Sequence, residues 1–209
     1  MLRRPRLLRL AILLALAACR EVAAPGSPLS VQGDVVSSNP GIHLLRQSPA
    51  APRLETYRIS FWARRGTQTS VSVHYRRAPG QRFSDELLRF RIPINGLVAG
   101  ANGVPLQRGD SVRITLTIDT VLFKVDFQPS GVVFSKSSPA QLAIWYKNAN
   151  PDLNGDGVVD ATDAELEQQL AIWSESTTDA WRQLASKHDP AQKLVAAEVQ
   201  HFCEFAVAY

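Results

Sequence analysis

From Leu54 onward the chain alternates apolar and polar side chains one by one. Tyr57, Ile59, Phe61 and Ala63 are interleaved with Arg58, Ser60, Trp62 and Arg64. Val71, Val73 and Tyr75 are interleaved with Ser72 and His74. Val112, Ile114, Leu116 and Ile118, set against Arg113, Thr115, Thr117 and Asp119, form the cleanest run. Phe123, Val125 and Phe127 oppose Lys124 and Asp126, and Leu142, Ile144 and Tyr146 keep the same period. Neighbouring side chains on a strand point to opposite faces, so a period of two predicts half-buried strands. Turn signals separate the runs: Ala78-Pro79-Gly80, Asn95-Gly96, Asn102-Gly103, Arg108-Gly109-Asp110 and Pro129-Ser130-Gly131. Short strands at this spacing predict a mainly β chain, an antiparallel sandwich or a barrel, of which the sandwich is the expected form. Val195, Ala197 and Val199 alternate again, as do Phe205, Val207 and Tyr209, so the last run is expected to be tied into a sheet.

The pattern upstream is different. Residues 1–6 read Met-Leu-Arg-Arg-Pro-Arg, and an apolar run follows from Leu7 to Ala18, broken only by Arg9. A basic start, a short apolar stretch and small residues predict a secretory signal over 1–18. The run is too short to span a bilayer as a helix. It closes on Leu16-Ala17-Ala18-Cys19, which resembles the lipobox of bacterial lipoproteins. That resemblance implies lipidation of Cys19, a chain anchored to the membrane of the bacterial cell envelope, and, with Arg20 rather than aspartate next, the outer membrane where the host has one. Two or more acyl chains give stable anchoring where one is marginal.

From residue 19 to 53 the chain carries Pro25, Pro28, Pro40, Pro49 and Pro52 with Gly26, Gly33 and Gly41 between them. This composition predicts a flexible tether, in which Ser30–Val36 is the one stretch suited to a short strand. The sandwich is then expected over 54–209.

Composition supports one core: 209 residues, 45% apolar and 20% charged. Two cysteines exclude a disulfide-dense scaffold. The formal charge of +4 includes Arg3, Arg4, Arg6 and Arg9 of the signal; without them basic and acidic residues balance at 19 each. No overall basic surplus survives to favour nucleic acid.

One segment has cation chemistry. Asp152-Leu153-Asn154-Gly155-Asp156-Gly157-Val158-Val159-Asp160-Ala161-Thr162-Asp163 places oxygen side chains at loop positions 1, 3, 5, 9 and 12, with glycine at 6. This is EF-hand spacing. A hard cation takes about six to eight oxygens, and alternate residues of a wrapping loop supply them. Asp152, Asn154, Asp156, Asp160 and Asp163 are the side-chain ligands expected for Ca2+, and Val158 gives its carbonyl. Gly157 permits the sharp turn. Aspartate at position 12, one methylene shorter than the usual glutamate, with Asn-Gly-Asp-Gly before it, resembles the calcium loop of dockerin repeats. Dockerins carry two repeats and this chain one, so the resemblance implies the ion ligands and not a cohesin partner. The loop is an insertion at about 150–169. Thr162 and Glu165 suggest a capping box, and a two-turn helix from Ala161 is expected before a strand through Trp173.

Over about 110–209, outside that loop, a third resemblance emerges. Val125-Asp126-Phe127-Gln128-Pro129-Ser130-Gly131-Val132-Val133-Phe134, Ser138-Pro139-Ala140-Gln141-Leu142-Ala143-Ile144, Ala180-Trp181-Arg182-Gln183-Leu184 and Val199-Gln200-His201-Phe202-Cys203-Glu204-Phe205-Ala206-Val207 resemble the ZU-five type of β-sandwich. The resemblance implies binding or scaffold duties and no standard catalytic site. In some of those relatives a His-Phe-Ser site cleaves itself, so His201-Phe202-Cys203 is a candidate in which a thiolate would attack. The plainer reading makes Phe202 core and Cys203 a small buried residue. His43, His74, His188 and His201 show no metal spacing, and no nucleophile elbow or phosphate loop is present. The chain is therefore not expected to be an enzyme. Trp62, Trp145, Trp173 and Trp181 are candidates for stacking on sugars; Trp62 and Trp145 lie opposite Ile59 and Ile144 in their strands, which places them either outward or under the second sheet or the loop. The expected partner is a protein or a glycan.

Overall fold

The computed structural model describes residues 41–209 apart from 78, 81, 102 and 176–179. They belong to a compact unit spanning Val36–Tyr209. The signal, Cys19 and the short strand considered at 30–36 lie outside the described residues.

The alternating runs form strands. β1 is Arg58–Arg64, β2 Thr69–His74, β3 Glu86–Ile92, β4 Leu97–Ala99, β5 Ser111–Ile118, β6 Lys124–Gln128, β7 Val133–Phe134 and β8 Ala140–Trp145. The helix α1 spans Ala161–Glu167. β9 is Ala171–Glu175, β10 Trp181–Gln183, β11 Ser186–Asp189, β12 Leu194–Val199 and β13 Glu204–Ala208. Two antiparallel sheets result, ordered β1-β5-β6-β13-β9-β10 and β11-β12-β8-β3-β2, with a small pair β4-β7. The fold is a β-sandwich. Among the described residues no helix is long and apolar enough to cross a membrane.

The core sits where the inward positions of both sheets meet. Ile114, Leu116 and Ile118 of β5 are buried while Arg113 and Thr117 stay wet. An aromatic cluster fills the centre. Phe127 of β6 stacks on Phe202 at 4.8 Å and meets Phe90 of β3 at 4.7 Å, while Phe134 and Phe205 close on the same rings edge-on. Burying a side chain of this kind stabilises by about 1.5–3 kcal/mol before packing is counted. β13 lies between β6 and β9, buried on both faces, as its run Phe205-Ala206-Val207-Ala208 shows.

The tether expected to reach residue 53 ends earlier. Ile42, Leu45 and Leu54 are buried. His43 and Tyr209 exchange backbone hydrogen bonds, Leu45 donates to Val207, and Phe123 donates to the Leu45 carbonyl. Further on, Ser48 donates to Asn148, and Asn150 to Arg46. Residues 42–48 therefore act as a strap along the end of β13 and the entrance to the 152–163 loop. Prolines on both sides mask it in the sequence, because His43-Leu44-Leu45 is too short to show a period.

The helix also starts differently from its expected cap. Asp160, in extended conformation, accepts from the Thr162 amide, and Asp163 accepts from the Asp160 amide. The capping box is thus Asp160 with Asp163, not Thr162 with Glu165. A residue two positions earlier wins because its short carboxylate reaches the free first-turn amides. The strand expected through Trp173 follows the helix and runs from Ala171 to Glu175.

Candidate functional site

The 152–163 loop joins β8 of one sheet to α1 and β9 of the other. Its shape comes from side chains bonding to its own backbone. Asp152 accepts from the Gly155 and Gly157 amides at 2.8 and 2.9 Å. Asn154 accepts from Asp156 at 3.0 Å, and Asp156 from Val158 at 2.8 Å. Gly155 and Gly157 both sit at positive φ, 76° and 86°, where a side chain is strained. Asp163 is buried and accepts from Leu153, Asn154 and Asp160 at 2.7, 3.2 and 2.9 Å. These amides, Asp160's first, outweigh burial and hold its carboxyl below the usual range.

The donor set suits a hard cation: carboxylates, one amide oxygen and one carbonyl. A carboxylate offers about four acceptor sites, so Asp152 keeps capacity beyond its two amides. Asp163 has spent three sites, which leaves it at most one. Among the described residues no three His, Cys, Asp or Glu side chains converge closely enough to hold a metal ion. The loop thus has the oxygens and the turns, with its acids folded onto backbone amides.

The loop is fastened to the sandwich. The Tyr209 hydroxyl donates to the Leu153 carbonyl, and Leu153 packs against the core. Burial, then Asp163 and Asp152, push the Tyr209 hydroxyl above its ordinary value. At the far end of α1, Glu167 accepts from Tyr146 at 2.8 Å and from Lys193 at 2.5 Å. Burial would raise the Glu167 carboxyl, but the bonds from Lys193 and Tyr146 bring it below the usual range. Tyr146 has a single proton and gives it to Glu167, so His188, 2.7 Å away, must donate through Nε2. No local pattern announces this cluster, because its members come from four separate segments.

The four tryptophans divide as two and two. Trp181 is buried beside Ile42, Ala206 and Ala208, and the Trp173 indole donates to the Ala208 carbonyl at 3.1 Å. These two are structural. Trp145 is half-buried, with the Arg89 guanidinium 5.3 Å from its ring centre. Trp62 on β1 is 65% exposed. Beside it a shallow groove of about 540 Å³ is lined by Arg58, Ser60, Arg113, Thr115, Gln128 and Pro129.

His201-Phe202-Cys203 lies just before β13, between it and β12. Phe202 is core, and His201 is exposed and bridges to Val133. No hydrogen bond joins the His201 ring to the Cys203 thiol among the described residues. Burial, with Glu175, Glu204 and Asp126 nearby, pushes the thiol up to about 12. Both observations oppose a thiolate nucleophile.

No family model, curated protein or solved structure matches the chain.

Proposed function

We propose that this chain is an envelope lipoprotein, anchored through Cys19, whose β-sandwich is a binding module stapled by Ca2+ in the 152–163 loop. The observation that carries the reading is the loop itself: oxygen ligands at EF-hand spacing, two left-handed glycines, and both ends fixed to the sandwich. Asp152, Asn154, Asp156 and Asp160 would hold the ion with the Val158 carbonyl, and Asp163 would add one oxygen. The ion would supply positive charge to a segment with four carboxylates in twelve residues. Binding only the folded form, it would stabilise the connection between the two sheets. The role is structural: a sensor opens two packed helices around its loop, and among the described residues α1 alone adjoins this one.

The second reading, an adhesion module for carbohydrate, is favoured by Trp62, whose ring lies open to solvent beside a polar groove. Self-cleavage at Cys203 has no such support.

The test is a thermal melt of residues 36–209 in calcium and then in chelator. A clear rise with calcium supports the staple. An unchanged melt, with no calcium bound in a direct titration, removes it.

A further inference from the structure

The wet faces of β1 and β5 are brought into one register. Trp62 stands directly across from Arg113, Ser60 from Thr115, Arg58 from Thr117 and Arg64 from Ser111. Direct partners on antiparallel strands share a face. The outer corner of the six-stranded sheet therefore presents an indole and three guanidinium groups around a hydroxyl floor. Ser60 and Thr115 are hydrogen-bonded to each other at 2.8 Å. No carboxylate pairs with Arg58, Arg64 or Arg113 among the described residues; the Arg64 Nε spends one bond on the Gly109 carbonyl. The acids further along the same face are already engaged. Asp126 takes the Gln128 amide at 3.0 and 3.1 Å, and Glu204 pairs with Lys124 at 3.2 Å.

This corner lies at one pole of a divided molecule. Beyond the strap, residues 54–113 hold ten arginines and four acids, whereas residues 114–209 hold thirteen acids and six basic residues. The division is spatial as well as sequential. β1 and β2 are edge strands of the two sheets, joined by only Arg65 to Gln68, so their margins coincide. At the opposite margin the Ile172 amide of β9 donates to the Ser186 hydroxyl of β11. The near balance of charge over the whole chain conceals a strongly basic edge.

We infer that the outer face of β1, β5 and β6 binds an acidic oligosaccharide, with a sugar ring on Trp62 and its anionic groups on Arg58, Arg64 and Arg113. This rests on the binding-module reading above and names the class of ligand. A sheet face is flat enough for a pyranose, and an exposed indole offers it an apolar platform. Guanidinium groups take carboxylates or sulfates in two-point contacts. Ser60 and Thr115 give hydroxyl partners suited to sugar hydroxyls. A nucleic-acid strand fits less well, because it needs a succession of stacking rings and this groove adjoins one.

The experiment is calorimetric titration of the full-length chain at about 50 mM salt, where screening is weak. The probes are hexagalacturonate, a sulfated hexasaccharide and neutral maltohexaose. One acidic probe should bind, with the neutral one at least about tenfold weaker. Trp62→Ala and Arg113→Ala should each weaken binding about tenfold or more, and Arg113→Lys should restore only part. Arg182→Ala, at the far margin, should change nothing. All three positions are exposed, and unchanged melts would confirm that the four variants fold.

Failure of both acidic probes, or equal binding of maltohexaose, overturns the inference. So does oligothymidylate binding as tightly with the same variant losses, which would give the face to nucleic acid. A salt-sensitive rise in mass abolished by Arg113→Ala would give it to the acidic half of a second copy. Calcium-dependent melting is read in the same samples, so failure here and failure of the staple are distinguishable.

Discussion

The Tyr209 hydroxyl holds the Leu153 carbonyl while its ring stacks on His43, 5.3 Å away and nearly parallel. One side chain therefore joins the strap, the end of β13 and the candidate ion loop. Tyr209→Phe keeps the ring and removes the hydroxyl. It is expected to cost about 1 kcal/mol in urea unfolding, the usual net worth of one hydrogen bond. It should also shrink the stabilisation by calcium, since the loop loses its fastening. A calcium response equal to the parent's would show that the loop is organised without Tyr209.

Calcium at about one hundred times its dissociation constant should raise stability by about 2.7 kcal/mol, by mass action on the folded form. Asp152→Ala removes two acceptors of loop amides and one ligand, and should abolish that rise. Gly157→Val should do the same through backbone strain at a φ of 86°. Unfolding curves with and without chelator measure both. A full calcium response in Asp152→Ala would remove the ligand assignment.

Leu45 is 2% exposed. Leu45→Ala is expected to destabilise by about 2–5 kcal/mol, the range for emptying a core leucine site. A chain beginning at residue 54 loses that side chain and every strap bond, and should melt well below one beginning at 36. Equal melting temperatures would mean that the strap is decoration.

Cys203 should resist alkylation in the native protein at neutral pH and react readily once unfolded, because its thiol is pushed up to about 12. The linkage follows the same direction. A thiol held protonated in the folded state contributes stability that is whole below its ordinary value, near 9, and is lost as pH rises toward 12. Intact mass should retain residues 203–209. Fast native labelling, or loss of that segment, would reopen the self-cleavage reading.

The lowered Glu167 carboxyl gives the opposite slope. Its contribution is whole above the ordinary carboxylate value and is lost as pH falls through the lowered folded one. Lys193→Ala should lose stability at pH 7, and its gap from the parent should narrow below about pH 4. A gap that stays constant with pH would show that the pair does not couple.

The strands with a single buried face were legible, since alternation records burial on one side only. β5 is the clear case, with Ile114 and Leu116 against Arg113 and Thr117. β3 carries the same signal in Leu88, Phe90 and Ile92, but the adjacent Leu87 is buried too and blurs the period. β11 could not be read, because Ser186-Lys187-His188-Asp189 has no apolar residue and exists through its pairing with β12. The loop was legible because its residues are local. The Trp62 and Arg113 pair was not, because strand register creates it and no spacing along the chain encodes register.

The strap has a mechanical consequence. Chain arriving from before residue 41 meets the sandwich at His43, opposite Tyr209. Tension carried in from that side would reach this pair before any core strand. It would act by peeling the strap from its outer end, parting His43 from Tyr209 and then Leu45 from Val207. The first ring released would be the one that fastens Leu153. A pull from that side would thus loosen the 152–163 loop first and leave the two sheets intact, so the loop would yield as a fuse ahead of the domain.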